Sequence, residues 1–300
     1  MRILDIGLAA LAGLAGFAAA TSASANDTAG TCPPYESVGT GPDLVLVPGL
    51  GSPPTVWDGV KDKLSQDYTV HFVHVGGFAG RSANGSPDTI VERAADEIIA
   101  YLDCKGIEGT AYAGHSMGGF LGLKLASEHP GRISQLVIVD SLPFFPLIFS
   151  PLATADQVRP QADNIRAQML SQSDEAFAAS QQAGVRSLVS NPDYHQTVAD
   201  WSIASDRASF AGAMHALMTT DLRPSLSAIS TPTTIIAAAN SFAPRGRIAN
   251  LYNGAYSDLP GAQLRIIEDS FHFIMFDQPE AFGEALTAAL KSDGSAPAGD

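Results

Sequence analysis

Charge is scarce in this chain, and what there is leans to one sign. Of 300 residues only 16% are charged, with 17 Lys and Arg against 31 Asp and Glu, for a formal net charge of -14. That balance argues against binding nucleic acid and offers no attraction to an anionic membrane surface. Cysteine is rarer still: the two residues, Cys32 and Cys104, permit one intramolecular pairing. No pair of histidines stands at metal-ligand spacing in a fitting context, so neither a metal nor another cofactor is expected. There is no internal repeat and no low-complexity or adhesion-like feature, which leaves a structural envelope role without support.

What remains is apolar. Hydrophobic residues make up 45% of the chain, with 28 Gly and 19 Pro, a composition that fits one medium-sized α/β unit with an ample core. Residues 1–25 resemble a secretory signal peptide: Arg2 is a small basic start, residues 6–20 are rich in Ala, Leu and Gly, and Ala23-Ser24-Ala25 offers a cleavage site. An uncleaved anchor is the competing reading of the same stretch, although its apolar run is short for a membrane span. Cleavage after Ala25 implies a secreted or periplasmic protein with no stable membrane insertion. In such an oxidising compartment Cys32 and Cys104 are expected to pair, tying the N-terminal arm to the end of a helix read over residues 87–103. A loop of that length is worth ~4 kcal/mol in the chain-entropy treatment. Residues 292–300 are small and polar and read as a mobile tail.

The most informative segment is Gly114-His115-Ser116-Met117-Gly118. A strand over residues 110–113 precedes it and a helix over 120–127 follows. The two glycines let a strand turn sharply into a helix, with a serine hydroxyl exposed at the apex and free backbone N–H groups beside it. A serine is a weak nucleophile at neutral pH and needs a base. Of seven histidines, His272 stands out, on a short loop between a strand around residues 265–268 and a helix opened by Pro279. His115 is expected to pack beside the serine, and His71 and His74 alternate with apolar neighbours as hydrogen-bonded structural residues do. His129 sits at a helix end. His195 and His215 fall in a helical region and could line a cleft.

Serine first and histidine last, with Val45-Leu46-Val47-Pro48-Gly49-Leu50-Gly51 upstream and Phe78-Ala79-Gly80-Arg81-Ser82 after the next strand, is similar to the α/β-hydrolase-fold serine hydrolases. The resemblance spans almost the whole mature chain. It implies an α/β class fold: a mainly parallel sheet flanked by helices, with a helical cap inserted after the strand ending at Asp140. The core would comprise residues 26–143 and 222–291, and the cap 144–221. Many relatives carry Asp after the penultimate core strand, whereas here Ala239-Asn240-Ser241-Phe242 has no carboxylate. Some relatives place the acid one strand earlier, which points to Asp140; Asn240, Asp269 and Glu268 are the other candidates, and an Asp at that point could instead cap a turn. The resemblance assigns the oxyanion donors to the N–H groups of Leu50 and Met117, although Pro48 stands where many relatives have His. Phe144, Phe145 and Phe149 would suit a substrate with a hydrophobic part; they would equally serve to pack the cap. The implied activity is cleavage of a small carboxylic ester through an acyl-enzyme on Ser116. Lactones, thioesters and binding without turnover are the alternatives, and oligomeric state is not legible.

Overall fold

The computed structural model describes residues 32–291, so the signal-peptide segment, residues 26–31 and the tail 292–300 lie outside the described residues. Seven strands form one sheet: β1 (Glu36–Val38), β2 (Asp43–Val47), β3 (Thr69–Phe72), β4 (Thr110–His115), β5 (Ile133–Val139), β6 (Thr233–Ala238) and β7 (Gln263–Ile267). Their spatial order is β1-β3-β2-β4-β5-β6-β7. All neighbours are parallel except β1, which runs antiparallel to β3 at one edge.

The central strands are apolar on both sides through their buried stretches because both faces are covered. In β2, Val45 and Val47 point into one core cluster while Leu44 and Leu46 point into the other. In β5, Leu136 and Ile138 serve the first cluster, and Val137 and Val139 the second. That period of two, with neither set polar, is the pattern of a doubly covered parallel sheet. Helices α2 (Ile90–Lys105), α3 (Met117–Glu128) and α8 (Arg245–Ala255) contribute to the first cluster. Helices α1 (Asp58–Leu64) and α10 (Pro279–Lys291) contribute to the second through Val60, Leu64, Phe282 and Leu286. Burying one such Leu side chain is worth roughly 1.5–3 kcal/mol.

The helix read over residues 87–103 begins as a tight turn, Pro87–Thr89, and becomes α2 only at Ile90. Gly106, at φ 69, ends α2 in the left-handed cap that glycine adopts without strain. Cys32 and Cys104 stand at disulfide-bonding separation, with Cα atoms 5.7 Å apart.

Between β5 and β6 the chain makes a helical excursion. A turn (Phe145–Ile148) leads to α4 (Ala155–Ser171), α5 (Asp174–Gly184), α6 (His195–Ile203) and α7 (Arg207–Thr219). The excursion is laced to the loop after β3. Gly80 N–H donates to Ala204 O at 3.1 Å, Asp206 N–H to Gly77 O at 2.8 Å, and Ala79 N–H to Ser205 Oγ at 2.9 Å. Arg166 of α4 pairs with Asp88 beside α2.

Candidate active site

In a parallel sheet every strand delivers its following loop to the same edge, which is where ligands bind in open α/β sheets. Here β2, β4, β5, β6 and β7 hand over Leu50, Ser116, Asp140, Asn240 and His272 in turn.

β4 ends at His115 and α3 starts at Met117, so Ser116 makes the turn between them. It does so at φ 53 and ψ -117, a conformation few L-residues adopt and one that the surroundings must enforce. Its N–H donates to Val139 O at 2.9 Å, and its carbonyl accepts from Phe120 N–H at 3.1 Å. Close approach does the rest. A Cβ on Gly118 would stand 2.2 Å from Val47 O, so only glycine lets α3 begin against the end of β2. A Cβ on Gly49 would stand 3.0 Å from Ser116 Cβ and from His115 Nδ1, so the loop after β2 passes against the serine turn at Gly49. Among the described residues neither Leu50 N–H nor Met117 N–H is spent on a loop or side-chain acceptor. Two free donors beside a serine are what a developing oxyanion requires.

His272 sits on the turn between β7 and the short helix α9 (Ile274–Asp277). Its Nδ1 lies 2.7 Å from Asp140 Oδ2. A carboxylate only accepts, so Nδ1 carries a proton, and in the neutral ring the lone pair then lies on Nε2. Asp140 itself has φ 44, and its other oxygen accepts from Ala238 N–H at 2.9 Å and from Tyr252 OH at 3.0 Å. The acid, the imidazole and the end of β6 are thereby one hydrogen-bonded unit. Among the described residues the Ser116 hydroxyl takes no hydrogen-bond partner, so its link to the imidazole stands open. Such links commonly tighten only when substrate is bound.

His115 supports this arrangement from behind. It is fully buried, its Nε2–H donates to His272 O at 3.0 Å, and the two rings lie 4.6 Å apart. Burial, reinforced by the neighbouring His272, holds its pKa well below the ordinary value of 6.5, so it stays neutral. Asp277 supports the same turn from the far end. One of its oxygens accepts Phe271 N–H at 2.8 Å, while the other accepts Ser190 N–H at 2.9 Å and Asn191 N–H at 3.0 Å. Phe273 N–H donates to Leu188 O at 3.0 Å, so the histidine turn is bound to the helical excursion.

The remaining candidates separate cleanly. Asn240 uses its side-chain oxygen to accept from Phe242 N–H and Ala243 N–H, and its amide donates to Ser270 O. Glu268 pairs with Arg245 at the surface, and neither it nor Asp269 hydrogen-bonds His272. His71 is held between Tyr101 OH and Asp43, and His74 donates to Phe78 O; both are structural. His195 donates to Val189 O and His215 meets Asp163, both within the excursion. The three phenylalanines do not act as one set, and the expectation for Phe144 needs correction. Phe144 has no exposed surface and lies under the Arg223 guanidinium, so it fills the core and does not line a site. Phe145 is half-buried and meets Phe149 edge-on at 5.7 Å, and Phe149 is 74% exposed. Tyr252 and Asp277 were not singled out from the sequence. The one local signal was Tyr252 and Tyr256 at the four-residue spacing that puts two side chains on one helix face.

A family model described as alpha/beta hydrolase fold matches residues 42–279. The chain is 29% identical over 255 residues to the pimeloyl-(acyl-carrier protein) methyl ester esterase of Aeromonas hydrophila, 84% of this chain and 96% of that protein. It is 36% identical over 111 residues to the protein of the same name from Aliivibrio salmonicida, a match that spans 37% of this chain and 40% of that one. Among solved structures, the enol-lactonase of Burkholderia xenovorans LB400 aligns with a TM-score of 0.70 over 86% of this chain and 96% of that one. At 21% identity that likeness concerns the fold alone. With most of its length under the family model and its strands in this order, the chain belongs to the alpha/beta hydrolase fold family, among hydrolases with esterase relatives.

Proposed function

We propose that this protein is a serine carboxylesterase that works through an acyl-enzyme on Ser116, with no cofactor. Ser116 Oγ attacks the ester carbonyl while His272 Nε2 takes its proton. Asp140 fixes the Nδ1–H tautomer and stabilises the imidazolium as it forms. The N–H groups of Leu50 and Met117 receive the oxyanion. His272 then returns the proton to the departing alcohol, and water repeats the sequence to free the acid. The observation that carries this reading is the 2.7 Å contact between His272 Nδ1 and Asp140 Oδ2, which in the neutral ring leaves Nε2 to serve as the base for the serine of the strained turn.

The substrate class is a small carboxylic ester with a hydrophobic part. Two observations support it: relatives named as methyl ester esterases, and the aromatic pair Phe145 and Phe149 at the head of the helical excursion. Burst release from a p-nitrophenyl ester, with mass detection of a fluorophosphonate adduct, tests the mechanism. Wild-type protein is expected to label on Ser116, and Ser116→Ala to lose label and at least about 10⁴-fold in turnover. A wild-type protein that neither bursts nor labels overturns the reading in favour of a binder.

The site of action is secreted or periplasmic, a reading supported by the pattern of residues 1–25 and by the Cys32–Cys104 pair. N-terminal sequencing of exported protein is expected to begin at Asn26; a start at Met1 counts against it.

A further inference from the structure

Behind the carboxylate of Asp140 stands a pair of buried tyrosines. Tyr252 lies in the last turn of α8 and Tyr256 caps its end, with rings inclined by 11° and centroids 6.1 Å apart. Tyr256 OH donates to Ser141 O at 2.7 Å, and Tyr252 OH donates to Asp140 Oδ1 at 3.0 Å. Two phenols from the end of one helix thus grip two consecutive residues, the first of which holds the strained φ of 44. The oxygen that Tyr252 occupies is the one turned away from His272, and it shares that oxygen with Ala238 N–H.

We propose that Tyr252 is a positioning residue for the hydrolysis at Ser116, acting through Asp140 on His272. The proposal rests on the triad reading above. A donor on Oδ1 does two things at once. It fixes the rotation of the carboxylate, so that Oδ2 faces Nδ1. It also draws negative charge away from Oδ2, which moderates how tightly the imidazolium is held. Too loose a hold fails to stabilise the developing charge; too tight a hold slows return of the proton to the leaving alcohol. Burial, with the Asp140 charge second, keeps the Tyr252 phenol far above its usual pKa, so it remains a donor wherever the enzyme is assayed. Asp140 is mostly buried, with a side chain 15% exposed, so bulk water does not freely replace a lost donor.

The test uses the mature chain and p-nitrophenyl butyrate, with kcat and KM followed from about pH 5 to about pH 9. Tyr252→Phe is expected to lower kcat about tenfold with KM within about twofold, and to move the acid limb of kcat/KM to higher pH. Tyr256→Phe removes an equally buried phenol from a backbone acceptor and is expected to leave the acid limb in place. In an Asp140→Asn background, Tyr252→Phe should cost no more than about twofold further. Should Tyr252→Phe fold poorly, 3-fluorotyrosine at position 252 keeps the ring and strengthens the donor, and should move the acid limb to lower pH. An unmoved pH profile in both substitutions, or an equal loss in the Asp140→Asn background, overturns the proposal. If instead Asp140→Asn alone keeps its rate, it is the triad reading that fails, and the two failures are told apart.

Discussion

The turn after β5 and the turn after β6 lie side by side at one edge of the sheet, and they spend a similar side chain in opposite ways. Asp140 directs both oxygens outward from its own turn, to His272, to Tyr252 and to the N–H of Ala238 at the end of the neighbouring strand. Asn240 folds its oxygen back onto Phe242 N–H and Ala243 N–H, closing the turn it belongs to. Its amide reaches the histidine loop only through Ser270 O. One side chain reaches the histidine and the neighbouring strand, and the other shapes its own loop. On the proposed mechanism the acid stands one strand early, and the last N–H of β6 donates to it.

The largest expected effect follows from exchanging the two roles. Asp140→Asn should lower kcat by roughly 10³–10⁴-fold, because the amide cannot hold the Nδ1–H tautomer and leaves an imidazolium unbalanced. Adding Asn240→Asp to that variant should not restore the rate, since the oxygen at position 240 is committed to its own turn; recovery of activity would merge the two roles. A smaller effect is expected for Asn240→Ala. Loss of its turn contacts should cost about 1–2 kcal/mol of stability in a denaturant melt, with kcat within about fivefold of wild type.

The smallest effect concerns His115, which touches neither turn but holds the backbone of His272. Its pKa is depressed in the folded protein by burial, while the unfolded chain takes up the proton near the ordinary value of 6.5. The unfolded state therefore binds more protons below that pH. Stability from this residue is complete above about pH 6.5 and is lost as pH falls below it. The melting temperature of the wild type should decline between about pH 7 and about pH 5, and His115→Asn should flatten part of that slope. His74, also depressed by burial, should retain the rest.

Much of this was legible from residues alone, for physical reasons. The serine turn declares itself locally, since its glycines, its strand and its helix occupy consecutive positions. The strand before the serine reads from its position ahead of the turn, and a single cysteine pairing follows from arithmetic. The carboxylate that meets His272 was partly legible, through the missing carboxylate after Ala239. Tyr252 was not, because its contact with Asp140 spans 112 positions and leaves no local pattern. Phe144 and Phe149 look alike in an apolar run, yet the tight turn between them buries the first and exposes the second. Asp277 sat within a segment read for its histidine, and its three backbone donors come from two regions far apart in sequence.

That last carboxylate bears on how such a protein can be re-engineered. A chimera that grafts a foreign segment between Asp140 and β6 would have to supply new N–H groups at the places of Ser190 and Asn191. Without them the transplanted helices could fold well and still leave the imidazole turn half untethered. Residues 188–191 and Asp277 are best treated as a single inherited joint, moved together or left alone.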